Sequence, residues 1–117
     1  MKRIAVALLL FATALPLAAW EDRLLTGSYN IAGQTIVDPP STEAQNTHMY
    51  FTLSGASARD LYNNMKVQPK PDVCRGGGAL TKSIGQMRCT RSAAGKEFQC
   101  WFAIDIASQR IAGGVVC

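Results

Sequence analysis

The stretch MRCTRSAAGKEFQCWFAIDI, Met87 to Ile106, decides how this chain folds. In its second half Phe98, Cys100, Phe102, Ile104 and Ile106 share one parity, while Glu97, Gln99, Trp101, Ala103 and Asp105 share the other. In a pleated strand that alternation makes one apolar face and one mostly polar face. Ala94-Gly95 supplies a turn ahead of it, and the strand before the turn is predicted over Leu80 to Thr90. With Ala94 and Gly95 at the tip, Cys89 lies opposite Cys100 and Met87 opposite Phe102, so sulfur and apolar side chains gather on one face. A slip by one residue would set Met87 against Trp101 and turn Cys89 away from Cys100, which a buried face disfavours.

Working outward, Gln109 lies near a further turn, and Ile111 to Cys117 is predicted to return as the last strand. Upstream, THMYFTLSG puts Met49, Phe51 and Leu53 on one face of a strand, with His48, Tyr50 and Thr52 on the other. A helix over about Ser57 to Lys66 follows, with Ser54 or Ser57 as its cap. Ala58, Leu61, Tyr62 and Met65 form its apolar stripe, and Pro69 and Pro71 end it. Arg23 to Val37 reads as two short strands turning at Ala32-Gly33, and residues 38–46 as a connector. The fold class expected is α+β: an antiparallel sheet, mostly a meander, with one amphipathic helix packed on it.

The chain opens Met-Lys-Arg, then the apolar run Ile4 to Leu15, Pro16 and Leu17-Ala18-Ala19, the grammar of a secretory signal peptide. That run of 12 residues is short of the roughly 20 a spanning helix needs. Cleavage is expected after Ala19, or after Ala18, so residues 1–19 are leader and 20–117 one small domain in the periplasm or outside the cell, with no stable membrane insertion. Trp20 then starts the mature chain, as a loose end or a small packing plug. Losing Lys2 and Arg3 brings the net charge from +4 to +2, too little and too scattered for a nucleic-acid binder.

Cys74, Cys89, Cys100 and Cys117 all lie in the mature part. An even set in a small exported chain reads as two disulfides. Their spacings of 14, 10 and 16 residues contain no C-x-x-C pair, and the single histidine, His48, is far upstream, so zinc is disfavoured. The hairpin register favours Cys89 with Cys100 and Cys74 with Cys117; the alternative pairs Cys74 with Cys89 and Cys100 with Cys117.

No motif carries catalysis. In CRGGGALTK, Cys74 to Lys82, the lysine stands four residues after the last glycine and a strand follows, which does not make a phosphate loop. The glycines read as a flexible connector, with Arg75 and Lys82 as candidates for a weak anion nest. His48 reads as a solvent-facing strand histidine, Asp60 as helix first-turn charge, Glu97 as a residue beside a hairpin tip and Asp105 as one on the outer strand face. No catalytic residue, metal or cofactor is expected.

Trp101 is the large apolar side chain on an otherwise polar face; either another segment covers it, such as the N-terminal hairpin or the helix, or it is an exposed anchor. Arg88 and Arg91 fall near it in the hairpin register, and with Arg75 and Lys82 they complete the candidate partner-binding set. Size and sheet-rich layout are similar to those of small periplasmic lysozyme inhibitors, a likeness of format without diagnostic residues. The expectation is a binding protein with a protein partner, an inhibitor of a lysozyme- or protease-type envelope enzyme. The alternative is an accessory component of an envelope assembly, docking through an edge such as Gly113 to Cys117.

Overall fold

The structure, a computed structural model, describes residues 21–114 and 117. The expected leader, its cleavage site, Trp20 and the Val115-Val116 part of the expected last strand lie outside the described residues. The elements described are β1 (Gly27–Ala32), β2 (His48–Ser54), α1 (Gly55–Asn64), β3 (Lys70–Pro71), β4 (Leu80–Ile84), β5 (Met87–Arg91), β6 (Phe98–Asp105) and β7 (Arg110–Ala112). The strands form one sheet in the order β1-β2-β6-β5-β4-β3, with β7 also on β6, and every pairing is antiparallel. With one helix on that sheet and two disulfides, Cys74–Cys117 and Cys89–Cys100, the fold is α+β.

β2 runs straight into α1, and the chain then enters the far edge at β3. From there β3 to β6 fold back as a meander, and β6 seats itself against β2. The β5–β6 register pairs Cys89 with Cys100 and Arg88 with Trp101, as the hairpin alternation requires. β2 adds Leu53 opposite Cys100 and Phe51 opposite Phe102. Cys89, Cys100, Leu53, Phe51 and Phe102 lie on the inner face, which Ala58 and Tyr62 of α1 and Met65 at its C-terminal cap cover, all three buried. Burying Tyr62 and Met65 contributes about 2 kcal/mol each. The Cys89–Cys100 bond, fully buried, lies in the middle of this core. Ala58 is small enough for the helix to close over it, its carbonyl oxygen 3.6 Å from Cys100 Sγ.

The strand predicted over Leu80 to Thr90 is two strands, folded at Gly85-Gln86 so that Ile84 faces Met87. Gly85 has φ 56°, the first central residue of a tight hairpin turn that only glycine adopts without strain. The two N-terminal strands are one, β1; beyond Ala32 the Gly33 N–H donates to Gln45 Oε1 rather than to a ladder, and Thr35 is held by Glu43 through its N–H and hydroxyl, at 3.1 and 2.8 Å. His48 is not solvent-facing: its side chain is buried, bonded to the Thr47 hydroxyl at 2.8 Å with the Asp105 carboxylate 3.7 Å away. The helix starts two residues early, so Asp60 lies beyond its first turn, and Ser57 Oγ accepts the Thr26 N–H at 2.8 Å instead of capping. Among the described residues the final strand, β7, covers Arg110–Ala112 and leaves out Gly113 and Gly114.

Candidate partner-binding site

The outer face of the sheet carries the other parity: Thr81, Ser83, Arg88, Thr90, Gln99 and Trp101. A turn from Asp72 to Ala79 folds down onto it, and Asp72 is the reason. Its side chain is 1% exposed and accepts from the Cys74 N–H (2.7 Å), the Arg75 N–H (3.1 Å) and the Thr81 hydroxyl (2.9 Å). Arg88 Nη2 stands 3.5 Å from the same carboxylate. Burial pushes the Asp72 carboxyl up, but the bonds from Arg75, Thr81 and Cys74 and the Arg88 charge outweigh it and hold the group below its ordinary range.

The three glycines complete this turn. Gly76, Gly77 and Gly78 have φ of 61°, 61° and 89°, left-handed conformations that other residues rarely adopt. Gly76 N–H donates to the Asp72 carbonyl at 3.0 Å and Ala79 N–H to the Gly76 carbonyl at 3.1 Å. The run read as a connector takes a left-handed, hydrogen-bonded turn and leads into β4.

Beneath the turn is a hollow of about 150 Å³ between Trp101, Arg88, Arg75, Thr90 and the Cys74–Cys117 bridge. Trp101 is half-buried, and the segment beside it is this disulfide-held turn rather than the helix or β1. Arg75 reaches across to donate to Gln99 Oε1. Arg88 Nε and Thr90 Oγ1 are buried, with no hydrogen-bond partner among the described residues. A shallower groove of about 520 Å³ continues from Arg88 along Ser83, Pro71, Val73 and Val67.

The structure thus gathers Trp101, Arg88 and Arg75 and parts them from Lys82 and Arg91. Lys82 lies on the inner face, where its ammonium donates to the Tyr62 and Met65 carbonyls at 3.1 and 3.2 Å and sits 4.6 Å above the Tyr62 ring. It serves the end of α1 and does not meet Arg75 around an anion. Arg91 faces Phe98, also inward. Sequence reasoning missed Asp72, Thr90 and Gln99. Asp72 left a signal, since an aspartate opening a turn commonly accepts the N–H of the residue two positions on.

Thr47, His48 and Asp105 bring together a hydroxyl, an imidazole and a carboxylate elsewhere on the outer face. The surroundings do not suit acyl transfer. Asp105 is engaged by the Ser108 N–H at 3.1 Å, and its carboxyl is lowered chiefly by that bond. The backbone N–H of Thr47 is spent on the Ala32 carbonyl and that of Ile106 on the Thr47 carbonyl, so neither is available to an oxyanion. Among the described residues no group of three or more His, Cys, Asp or Glu side chains could hold a metal ion. No protein-family model, curated protein or solved structure matches the chain.

Proposed function

We propose that this chain is a small exported binding protein, not an enzyme, and that it inhibits an envelope-acting enzyme of the lysozyme or protease type. The observation that carries the reading is the juxtaposition of Trp101, Arg88 and Arg75 around one hollow on the outer face of the sheet. A large aromatic ring beside guanidinium groups is the composition of a binding hot spot. Two arginines against one aspartate leave the hollow with a net positive charge, which suits an acidic side chain of the partner. Export is supported by two disulfides, which persist in oxidising compartments. No helix among the described residues is long and apolar enough to cross a membrane.

A second reading, an accessory component of an envelope assembly, is favoured by β1. This edge strand exposes Tyr29 and Ile31, with Leu25 just before it, and an open edge can take a partner strand. Of the segment expected to play that part, Gly113 to Cys117, the described residues Gly113 and Gly114 lie outside β7, which ends at Ala112.

The first reading is tested by titrating the oxidised mature protein into a panel of muramidases and proteases. It predicts stoichiometric inhibition of at least one; inhibition of none removes it.

A further inference from the structure

The two disulfides lie in opposite surroundings. Cys89 and Cys100 are sealed under α1, whereas Cys74 and Cys117 are both exposed. Arg88 Nη2 stands 3.2 Å from Cys74 Sγ, on one side of the exposed bond. Arg88 is itself fixed by Asp72, at 3.5 Å. Arg75, Arg88 and Asp72 together leave one net positive charge beside that sulfur. A cation beside a sulfur lowers its thiol pKa, and a thiol of lower pKa is the better leaving group in disulfide exchange.

We propose that Cys74–Cys117 is a thiol–disulfide exchange site, whose substrate is an external dithiol of the kind a thiol–disulfide oxidoreductase carries. Cys117 is the sulfur attacked and Cys74 the sulfur released. A thiolate of the dithiol bonds to Cys117 Sγ, the Cys74–Cys117 bond breaks, and its electron pair leaves on Cys74 as a thiolate beside Arg88. The second thiol of the dithiol then attacks its own partner sulfur in the mixed disulfide and expels Cys117 as a thiolate. Two electrons pass to the protein: the dithiol becomes a disulfide, Cys74 and Cys117 are reduced, and the two protons lost by the dithiol go to the released thiolates or to water. Run backwards with an oxidised donor, the same steps close the bond during folding.

The local backbone leads out of the sheet on the side of this bond. β5 occupies the edge of β6 up to Trp101 and β7 the edge from Ala103, so the chain must leave the sheet between them. Gly114 makes that exit so close to Phe102 that a Cβ there would lie 2.8 Å from its backbone atoms. Beyond it Cys117 forms part of the wall of the Trp101 hollow, and exchange releases it. This inference is independent of the inhibitor reading.

The test treats the oxidised mature protein with limiting dithiothreitol at neutral pH, quenches with iodoacetamide and maps the labelled cysteines by mass spectrometry. Cys74 and Cys117 are expected to open about tenfold or more before Cys89 and Cys100, since thiol access governs exchange. Arg88→Gln is expected to slow that first opening about threefold or more through the poorer leaving group, with Arg88→Lys retaining most of the rate. Simultaneous labelling of all four cysteines overturns the site, and an unchanged rate in folded Arg88→Gln overturns the role of the guanidinium. A further measurement needs no variant: in wild-type protein reduced only at this bond, Cys74 should alkylate with a pH midpoint below the ordinary thiol value of about 8.5. A midpoint at or above it contradicts the proposal.

Discussion

Asp72 organises the outer face as a single residue, because its one carboxylate ties the turn, β4 and Arg88 together. Removing one member of a buried charged pair leaves the other uncompensated, and Asp72→Asn is expected to cost about 3 kcal/mol at neutral pH. The sign with pH follows from the lowered folded carboxyl. Its stabilisation is fully present above the unfolded value of about 4 and is lost as pH falls from there through the folded value. Thermal midpoints measured from pH 7 down to pH 2 should therefore fall less steeply in Asp72→Asn than in the wild type across the acid limb. Parallel curves would show that the carboxylate is not the stabilising group.

At the scale of elements, α1 depends on a residue from another strand. Its N-terminal residue Ser54 makes no side-chain cap, so the support lies at the other end, where Lys82 bonds two of its carbonyls. Lys82→Met keeps the aliphatic stem and removes the charge; a loss of about 1.5 kcal/mol is expected from the helix end and the ring contact together. A urea midpoint lowered at unchanged slope is the signature, and an unmoved midpoint would assign the helix end to packing alone. Much of this element level was legible in the sequence. The Cys89–Cys100 register followed from strict alternation in Phe98 to Ile106, and the stripe Ala58, Leu61, Tyr62, Met65 is the surface α1 buries. The turn at Gly85-Gln86 was also written there: inward residues are even-numbered through Ile84 and odd-numbered from Met87, a parity switch that one continuous strand cannot accommodate. The inward path of Lys82 and the loop over residues 33–47 were not legible. Each is decided by a distant partner, the α1 carbonyls in one case and Glu43 and Gln45 in the other, and local pattern carries no trace of such bonds.

For the whole molecule, a small core and two covalent staples share the stabilisation, and the staples act differently. The Cys74–Cys117 loop spans 43 residues, and loop entropy gives it about 4 kcal/mol against about 3 kcal/mol for a loop the size of the other. Cys89–Cys100, with a separation of 11, also fills the centre of the core, and emptying that space adds about 2 kcal/mol. The inner pair replaced by alanine should therefore lower unfolding free energy more than the outer pair replaced by serine, although it closes the shorter loop. The reverse ranking in urea unfolding would mean that chain entropy dominates and the core contributes little.

We propose a division of labour between a sealed inner face that holds the fold and a Trp101 face that recognises a partner. It is tested most directly by inhibition titrations of the enzyme found in the panel, comparing wild type with Trp101→Ala and Tyr29→Ser. Trp101→Ala is expected to weaken inhibition about 30-fold or more, the loss of a hot-spot side chain worth about 2 kcal/mol or more, while Tyr29→Ser on the β1 edge is expected to leave it unchanged. Full inhibition by Trp101→Ala, with inhibition lost in Tyr29→Ser, would contradict it and move the site to the edge strand.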